Sequence, residues 1–417
     1  MLAHRALVFP VAWDDPRLRW LLEEFRLLVN ESIRIALRDD IRSRARLTRA
    51  AYGDLSARHA VHKRYIPSAF EVALGVLKVY RRRMRKGKRS SIPFLRRLLL
   101  KAENQSYWLE RETGRIRIPI RGTEGVQFHL SLSEWHRTIL GDPSWGLGSL
   151  TVVPGKIIVA VRKEAPKPYK PRGAIALDTN EDSLDGVHAS GESAELVCVP
   201  FDGVRRVQEV HFRRRRHLAK KKAHDRRVAR RLLGREGRRE RHRVRQRLHK
   251  VSKRLVRLAS EARAAIVLED LTLHGASGRS RRMNRRLSSW PRSEIHRQIE
   301  YKAALAGVPV IMVNPQWTSK TCPACGARRR DRVGQDFVCL MCDWEMDRQI
   351  NAGLNILKTA LASPKNEALA RAVRFQPGAL RDDVVSPLYD PFRGGTGARD
   401  EPSGVESRIG VIRSPDL

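Results

Sequence analysis

A chain of 417 residues can hold two or three domains, and a formal charge of +38 at neutral pH makes it repel itself unless a polyanion neutralises it. Nucleic acid is the partner this implies, because its phosphates bind such a surface strongly and in a salt-sensitive way; a hydrophobic fraction of 41%, with buried-strand runs, argues against a simple ribosomal or histone-like packing protein. No stretch approaches the roughly 20 apolar residues of a membrane span, and Pro10, Asp14 and Asp15 interrupt the N-terminal stretch too early for a secretory signal, so a cytoplasmic, prokaryotic protein without membrane contact is expected.

Residues 3–12 alternate and read as a strand. Asp14, Asp15 and Pro16 then open a helix with Leu18, Leu21, Leu22, Phe25, Leu28, Val29 and Ser32 on one face. The spacing of Ala69, Val72, Ala73, Val76, Leu77 and Tyr80 predicts a second helix from about Pro67 to Arg85. It ends in a basic cluster, where Arg81, Arg82 and Arg83 are read as phosphate contacts in preference to a merely solvated helix end. From Pro93 to Lys170 the period falls to two, giving strands over 115–120, 126–132 and 150–161, with a turn at Pro154-Gly155. Trp108, Trp135 and Trp145 in this block are read as core aromatics rather than base-stacking platforms. The proline-broken basic run from Lys163 to Gly173 marks a domain boundary.

Beyond it, strands over 174–177, 184–189 and 194–199 suggest an antiparallel meander, with Asp178 closing the first. Residues 205–262 form a helical stretch that Gly234 and Gly237 are expected to break in two. Acids are too sparse there to neutralise the bases, so Arg213, Arg214, Arg215, Arg216, Lys220, Lys221 and Lys222 are read as a polyanion-binding surface. The run 264–271 is a central strand that delivers Glu269 and Asp270 at its end. A helix over 288–306, a strand over 308–313 and a helix over 348–360 follow, and the Pro- and Gly-rich tail from 362 to 417 is expected to be disordered.

Between the last strand and helix lie two C-x-x-C pairs, Cys322 with Cys325 and Cys339 with Cys342, separated by 13 residues. Two knuckles supply four soft ligands, the tetrahedral set of a structural zinc (Zn²⁺). The rival reading is two disulfides or four idle thiols, but the cysteine count is odd, Cys198 being the fifth, and the sequence shows no secretory signal, which favours a reducing compartment. All four zinc positions come from protein, so chemistry has to be sought elsewhere.

Asp178 and Glu269 at strand ends and Asp347 before the last helix are the candidates. Carboxylates brought together repel unless a divalent cation lies between them, and hard oxygen ligands suit Mg²⁺ or Mn²⁺. Strand-end acids are also common caps, and the pattern alone leaves that alternative open.

The runs ALDTNEDSLDG and IVLEDL, the segment RRMNRRLSSWPRSEIHRQIEYKAALAGVPVIMVNPQWTSKTCPACG and the run DRQINAGLNI resemble the three RuvC motifs and zinc ribbon of TnpB proteins. These are the OrfB-type proteins of small bacterial and archaeal transposons, related to compact type V CRISPR effectors. The resemblance covers 171–360 by motif and the N-terminal third by layout. It implies an α/β chain: a RuvC-like, RNase H-type nuclease domain (171–314 and 347–361) with an inserted zinc ribbon (315–346) that binds target nucleic acid. It also implies an N-terminal wedge-like β-barrel (1–12 and 93–165) interrupted by a helical recognition insert (13–92). The partners it implies are a guide RNA from the protein's own locus and target double-stranded DNA.

By the same resemblance Asp178 and Glu269 match the first and second catalytic acids. The third motif departs: Gln349 occupies the position two residues before Asn351 where the family usually has aspartate. A neutral amide cannot replace that charge, and Asp347 is the candidate stand-in, although two positions on a helix differ by about 200° of rotation. Three readings follow: an RNA-guided, metal-dependent DNA endonuclease; an RNA-guided DNA-binding protein that has lost cutting and acts as a roadblock or repressor; and a guide-independent nucleic-acid-binding protein with a structural ribbon.

Overall fold

The computed structural model describes residues 2–88, 90–220, 225–271, 280–328 and 336–376. The chain divides into two compact units, Met1–Glu164 and Ala165–Leu417.

In the first unit, strand β1 (Leu2–Pro10) leads into helices α1 (Pro16–Arg38), α2 (Arg44–Arg58) and α3 (Tyr65–Arg85). Asp15 accepts the Arg17 amide and Pro16 fills the first turn, so α1 starts where the sequence signals it. The chain continues as β2 (Leu100–Ala102), β3 (Trp108–Leu109), β4 (Arg115–Arg121), β5 (Glu124–His129), α4 (Glu134–Gly141), β6 (Gly146–Val153) and β7 (Lys156–Glu164). These strands form two hydrogen-bonded sheets, ordered β1-β7-β6-β2 and β3-β4-β5. A 3₁₀ turn over Asn104–Ser106 separates β2 from β3 and ends the first ladder.

Three expectations change here. Helix α2 escapes the sequence reading because only Leu47, Ala51 and Leu55 are buried along it, one per turn. Of the three tryptophans, only Trp145 is core at 6% exposure; Trp108 and Trp135 are about half exposed, at 50% and 47%. Arg81 is no free phosphate contact: its guanidinium turns inward and donates to the carbonyls of Ala36 and Ile41 and to Asp40, tying the end of α1 to α3. Arg82 and Arg83 are exposed.

The second unit is built on one sheet. Strands β8 (Gly173–Thr179), β9 (Ser183–Ser190) and β10 (Ser193–Pro200) form the antiparallel meander, while β11 (Ala264–Glu269) and β12 (Val310–Val313) add in parallel, giving the order β10-β9-β8-β11-β12. Ile175, Leu177, Leu184, Ile266 and Leu268 face helices α6 (Arg226–Glu261) and α8 (Arg292–Ala306). Ala174, Ala176, Val187, Ala265 and Val267 face helix α9 (Arg348–Leu361). Burial on both faces explains why these strands read as continuous apolar runs. Helix α9 lies almost on the sheet. A Cβ at Gly353 would stand 2.5 Å from Gly186 Cα, and one at Gly186 would stand 1.9 Å from the Ala176 carbonyl oxygen, so neither position has room for a side chain.

Helix α5 (Val204–Lys220) and α6 pack on each other, and α6 runs straight through Gly234 and Gly237, contrary to the expected break. Each glycine costs about 1 kcal/mol in a helix, too little to interrupt one whose flanking turns are tied to α5 through His211–Glu236 and Arg215–Glu240. Helix α7 (Arg281–Ser289) precedes α8 and stops at Trp290, whose successor Pro291 disfavours helical backbone before it. The tail is not disordered from 362: helix α10 (Glu367–Ala372) follows, Arg374 N–H donates to the Gly191 carbonyl, and Phe375 is buried. Residues 377–417 lie outside the described residues. No helix among the described residues is long and apolar enough to cross a membrane.

Candidate active site

Alternation along β8 puts Ala174, Ala176 and Asp178 on the α9 face, and along β11 it does the same for Ala265, Val267 and Glu269. The parallel register aligns Leu268 with Leu177, so Asp178 and Glu269 end neighbouring strands side by side. The Glu269 carboxyl is near enough to Asp178 to help hold its proton on. The Thr318 hydroxyl donates to Glu269 Oε1, and the Asn355 amide on α9 donates to the Thr318 carbonyl at 2.8 Å, which fixes the loop carrying Thr318.

Asp347 stands at the start of α9 rather than on its body. Its Oδ1 accepts the amides of Gln349 (2.7 Å) and Ile350 (3.3 Å) as the N-cap. The rotation expected between positions 347 and 349 therefore does not apply, because Asp347 is the last residue of strand β14 (Glu345–Asp347). Gln349 is buried at 4% exposure, and its Oε1 has no hydrogen-bond partner.

The hairpin register brings one further acid that the sequence reading missed. Asp185 on β9 is directly opposite Asp178, is fully buried, and accepts from Asn180 Nδ2 (2.8 Å) and from the Ser183 hydroxyl. Counting back from the β8–β9 turn was the available signal: the pair Thr179–Leu184 fixes Asp178–Asp185. Crowding of like charges shows in the acids themselves. Burial, then the Glu269 and Asp185 charges, push Asp178 well above the usual carboxylate range. Burial raises Glu269 against the Thr318 hydrogen bond. Burial, with smaller contributions from Asp185 and Asp336, raises Asp347. Such a cluster is relieved either by protons or by a divalent cation, and hard oxygen donors fit Mg²⁺ or Mn²⁺.

The hairpin loop is held from the opposite side. The Trp290 indole donates to the Asn180 carbonyl at 2.8 Å, Arg286 pairs with Glu181 at 3.1 Å, and Thr179 Oγ1 meets His296 Nε2 at 2.8 Å. Burial pushes the His296 imidazole down to about 4.

The four ribbon cysteines converge. Their sulfurs lie within 4.8 Å of one another, with Cys322 to Cys342 at 3.7 Å and Cys325 to Cys339 at 3.5 Å. A tetrahedral zinc with Zn–S bonds of about 2.3 Å has sulfur–sulfur edges of about 3.8 Å, so the residues fit that ion. Strands β13 (Asp336–Val338) and β14 brace the second knuckle, and the amides of Asn351 and Asn355 both donate to the Thr321 carbonyl beside the first.

The basic run on α5 is less naked than its sequence suggests. Arg213 pairs with Glu209 at 2.6 Å, Arg214 approaches Glu236 at 3.7 Å, and Arg215 pairs with Glu240. Arg216 and Lys220 are exposed, and Lys221 and Lys222 lie outside the described residues.

Comparison with known proteins adds the identity. Residues 293–356 match the Cas12f1-like TNB domain, and residues 21–119 match the uncharacterised protein MJ0013 family. The chain is 27% identical over 256 residues to the TnpB-like protein MJ0751 of Methanocaldococcus jannaschii, spanning 59% of this chain and 91% of that one. It is 32% identical over 148 residues to the TnpB-like protein MJ0012 of the same organism, spanning 36% of this chain and 67% of that one. It is also 36% identical over 111 residues to the CRISPR-associated endodeoxyribonuclease Cas12f1 of Sulfoacidibacillus thermotolerans, spanning 26% of this chain and 25% of that one. The fold resembles that of Cas12f1 in a Cas12f1–sgRNA–target DNA complex, with a TM-score of 0.55 at 14% identity over 85% of this chain and 84% of that one. A mixed α/β fold of this kind, carrying a four-cysteine cluster between its last sheet strand and the helix that covers the sheet, belongs to the TnpB family, related to the type V effectors.

Proposed function

We propose that the protein is an RNA-guided, divalent-cation-dependent DNA endonuclease that cuts target DNA at a RuvC-type site. One observation carries the reading: Asp178 and Glu269 end the neighbouring strands β8 and β11 of a five-stranded sheet whose order counts 3-2-1-4-5, which matches the arrangement of an RNase H-type domain, and Asp347 caps the helix that covers that sheet. In this reading residues 171–314 and 347–361 are the nuclease domain and 315–346 the zinc ribbon against target nucleic acid. Residues 1–12 and 93–165 are the wedge-like part and 13–92 the recognition insert. The partners are a guide RNA from the protein's own locus and target double-stranded DNA, as the sgRNA and target DNA in the Cas12f1 complex suggest by analogy. Its place of action is the prokaryotic cytoplasm.

A bound divalent cation supplies the Lewis acid that activates water and stabilises the leaving oxygen of a phosphodiester. Asp178 and Glu269 would hold it from neighbouring strand ends. Thr318 orients the Glu269 carboxylate by donating to Oε1, and the Asn355 amide keeps Thr318 in place. Asp347 brings a carboxylate to the start of α9 while capping that helix. Cys322, Cys325, Cys339 and Cys342 would hold a structural zinc and leave it no open position. Exposed Arg82, Arg83, Arg216 and Lys220 are available to phosphates.

Gln349 favours a second reading, an RNA-guided binder that no longer cuts, because a buried neutral amide sits where an aspartate would complete the motif. Plasmid cleavage separates the two. The protein is co-expressed with RNA from its own locus and offered target plasmids with a randomised flank and Mg²⁺, beside Asp178→Ala and Gln349→Asp. Cutting that Asp178→Ala abolishes is the expected result. Guide-dependent binding without cutting, with cutting gained by Gln349→Asp, overturns it in favour of the binder.

A further inference from the structure

We infer that Asp185 is a metal-holding carboxylate of this site, supplying from strand β9 the negative charge that Gln349 does not supply from helix α9. The inference rests on the nuclease reading for its purpose but not for its geometry. Opposed residues of an antiparallel pair on one face have Cβ atoms roughly 4.5–5.5 Å apart, a span that two carboxylates can close around one cation. Asp185 and Asp178 are such a pair. Like charges directly opposite destabilise a ladder, and a fully buried carboxylate is retained there only when something offsets it. Asn180 and Ser183 both donate to Asp185 Oδ2, which fixes the carboxyl in one orientation.

A second observation points to a cation rather than to a purely structural acid. Gln349 Oε1 is buried and has no hydrogen-bond partner. Gln349 and Gly353 share a helix face, one turn apart, and Gly353 lies against Gly186, the residue after Asp185. Helix α9 therefore carries the unpartnered oxygen one turn from its contact with the residue after Asp185, on the same face of the sheet as the Asp178–Asp185 pair, where a hard cation held by that pair would use it as a neutral ligand. Three carboxylates, Asp178, Asp185 and Glu269, then carry the charge of a three-acid site, with Gln349 as a neutral donor and Asp347 left to its helix cap.

The test is Mn²⁺ affinity of the full-length, zinc-loaded protein, measured by electron paramagnetic resonance alongside guided cleavage. Asp185→Asn keeps the size and hydrogen-bonding reach of the side chain. It should weaken Mn²⁺ binding by about 10–100-fold, the scale on which even ligand-supporting groups act. Adding Gln349→Asp to that variant should restore affinity to within a few-fold by returning the charge from the helix side. Unchanged affinity in Asp185→Asn overturns the inference, as does a double variant no tighter than the single one. If Asp185→Asn fails to fold, Asp185→Glu, which keeps the charge but moves it by one methylene, takes its place, and again unchanged affinity overturns the inference. Cutting and Mn²⁺ binding that both survive Asp185→Asn would sink the inference and leave the nuclease reading standing. Asp185-dependent Mn²⁺ binding in a protein that never cuts would do the reverse.

Discussion

The second unit contains two clusters of like groups, and they are built in opposite ways. The thiol cluster draws its four sulfurs from two short knuckles within 21 residues, from Cys322 to Cys342. The carboxylate cluster draws its acids from three different elements, β8, β11 and the start of α9, with Asp185 from a fourth. The first supplies all four positions of a tetrahedral ion from protein, which leaves no open position for chemistry. The second has its acids raised by burial and, at Asp178 and Asp347, by neighbouring carboxylates, a strain that protons or a divalent cation would relieve. A local cluster stabilises the chain, whereas a cluster assembled from distant strand ends keeps its potential for chemistry.

Removing zinc tests the first half with the largest effect. Structural zinc contributes on the order of 10 kcal/mol to small ribbons, so Cys322→Ser should abolish the bound zinc in elemental analysis and expose residues 336–347 to hydrogen exchange. Strands β8 and β11 should stay protected; loss of protection there would break the contrast. Asp178→Asn tests the second half. It should lower cutting by about 10²–10³-fold, the scale of one lost electrostatic stabiliser, yet raise the thermal midpoint of cation-free protein by removing a repelling charge. A fall in both would mean that the acid is structural.

Gly353→Ala should damage both clusters at once. The new methyl has only backbone to meet, and moving α9 off the sheet should cost about 3 kcal/mol or more in denaturant unfolding while weakening Mn²⁺ binding. A smaller effect is expected from His296, on the far side of the sheet. Its folded value of about 4 lies below an unfolded value near 6.5, so the unfolded chain binds the extra proton between them. The contribution is intact above the unfolded value and is lost as pH falls towards 4. From pH 6.5 to 5 it should amount to about 2 kcal/mol, and His296→Gln should flatten that slope. An equal slope in both proteins would assign the acid sensitivity to the carboxylates instead. Least of all, Gly234→Ala and Gly237→Ala should each stabilise α6 by about 0.5–1 kcal/mol, since an added Cβ meets only the ends of arginine side chains.

What the sequence disclosed followed the same division. The cysteine spacing is a local signal, and so are the apolar runs that end at Asp178 and Glu269. Asp185 was hidden among the acids of ALDTNEDSLDG, because only strand register separates the one opposite Asp178 from Glu181 and Asp182 in the turn. Helix α2 was missed because its buried stripe is one residue wide. The break between α5 and α6 was misplaced because glycine propensity is a weak force beside the packing of the two helices on each other. Trp108 and Trp135 show the limit of composition: a strand such as β3 and a short helix such as α4 each have a wet face, and an aromatic's presence does not say on which face it falls.

The short path from zinc to Glu269 has a consequence for the cell that carries this protein. Asn351 and Asn355 hold the Thr321 carbonyl at the first knuckle, and Asn355 also holds Thr318, whose hydroxyl fixes Glu269. A molecule made when zinc is scarce would lose the knuckle, then the anchored loop, then the orientation of an acid that never touches zinc. In the proposed nuclease reading, zinc supply would thereby set the fraction of molecules whose Glu269 is oriented to hold a divalent cation.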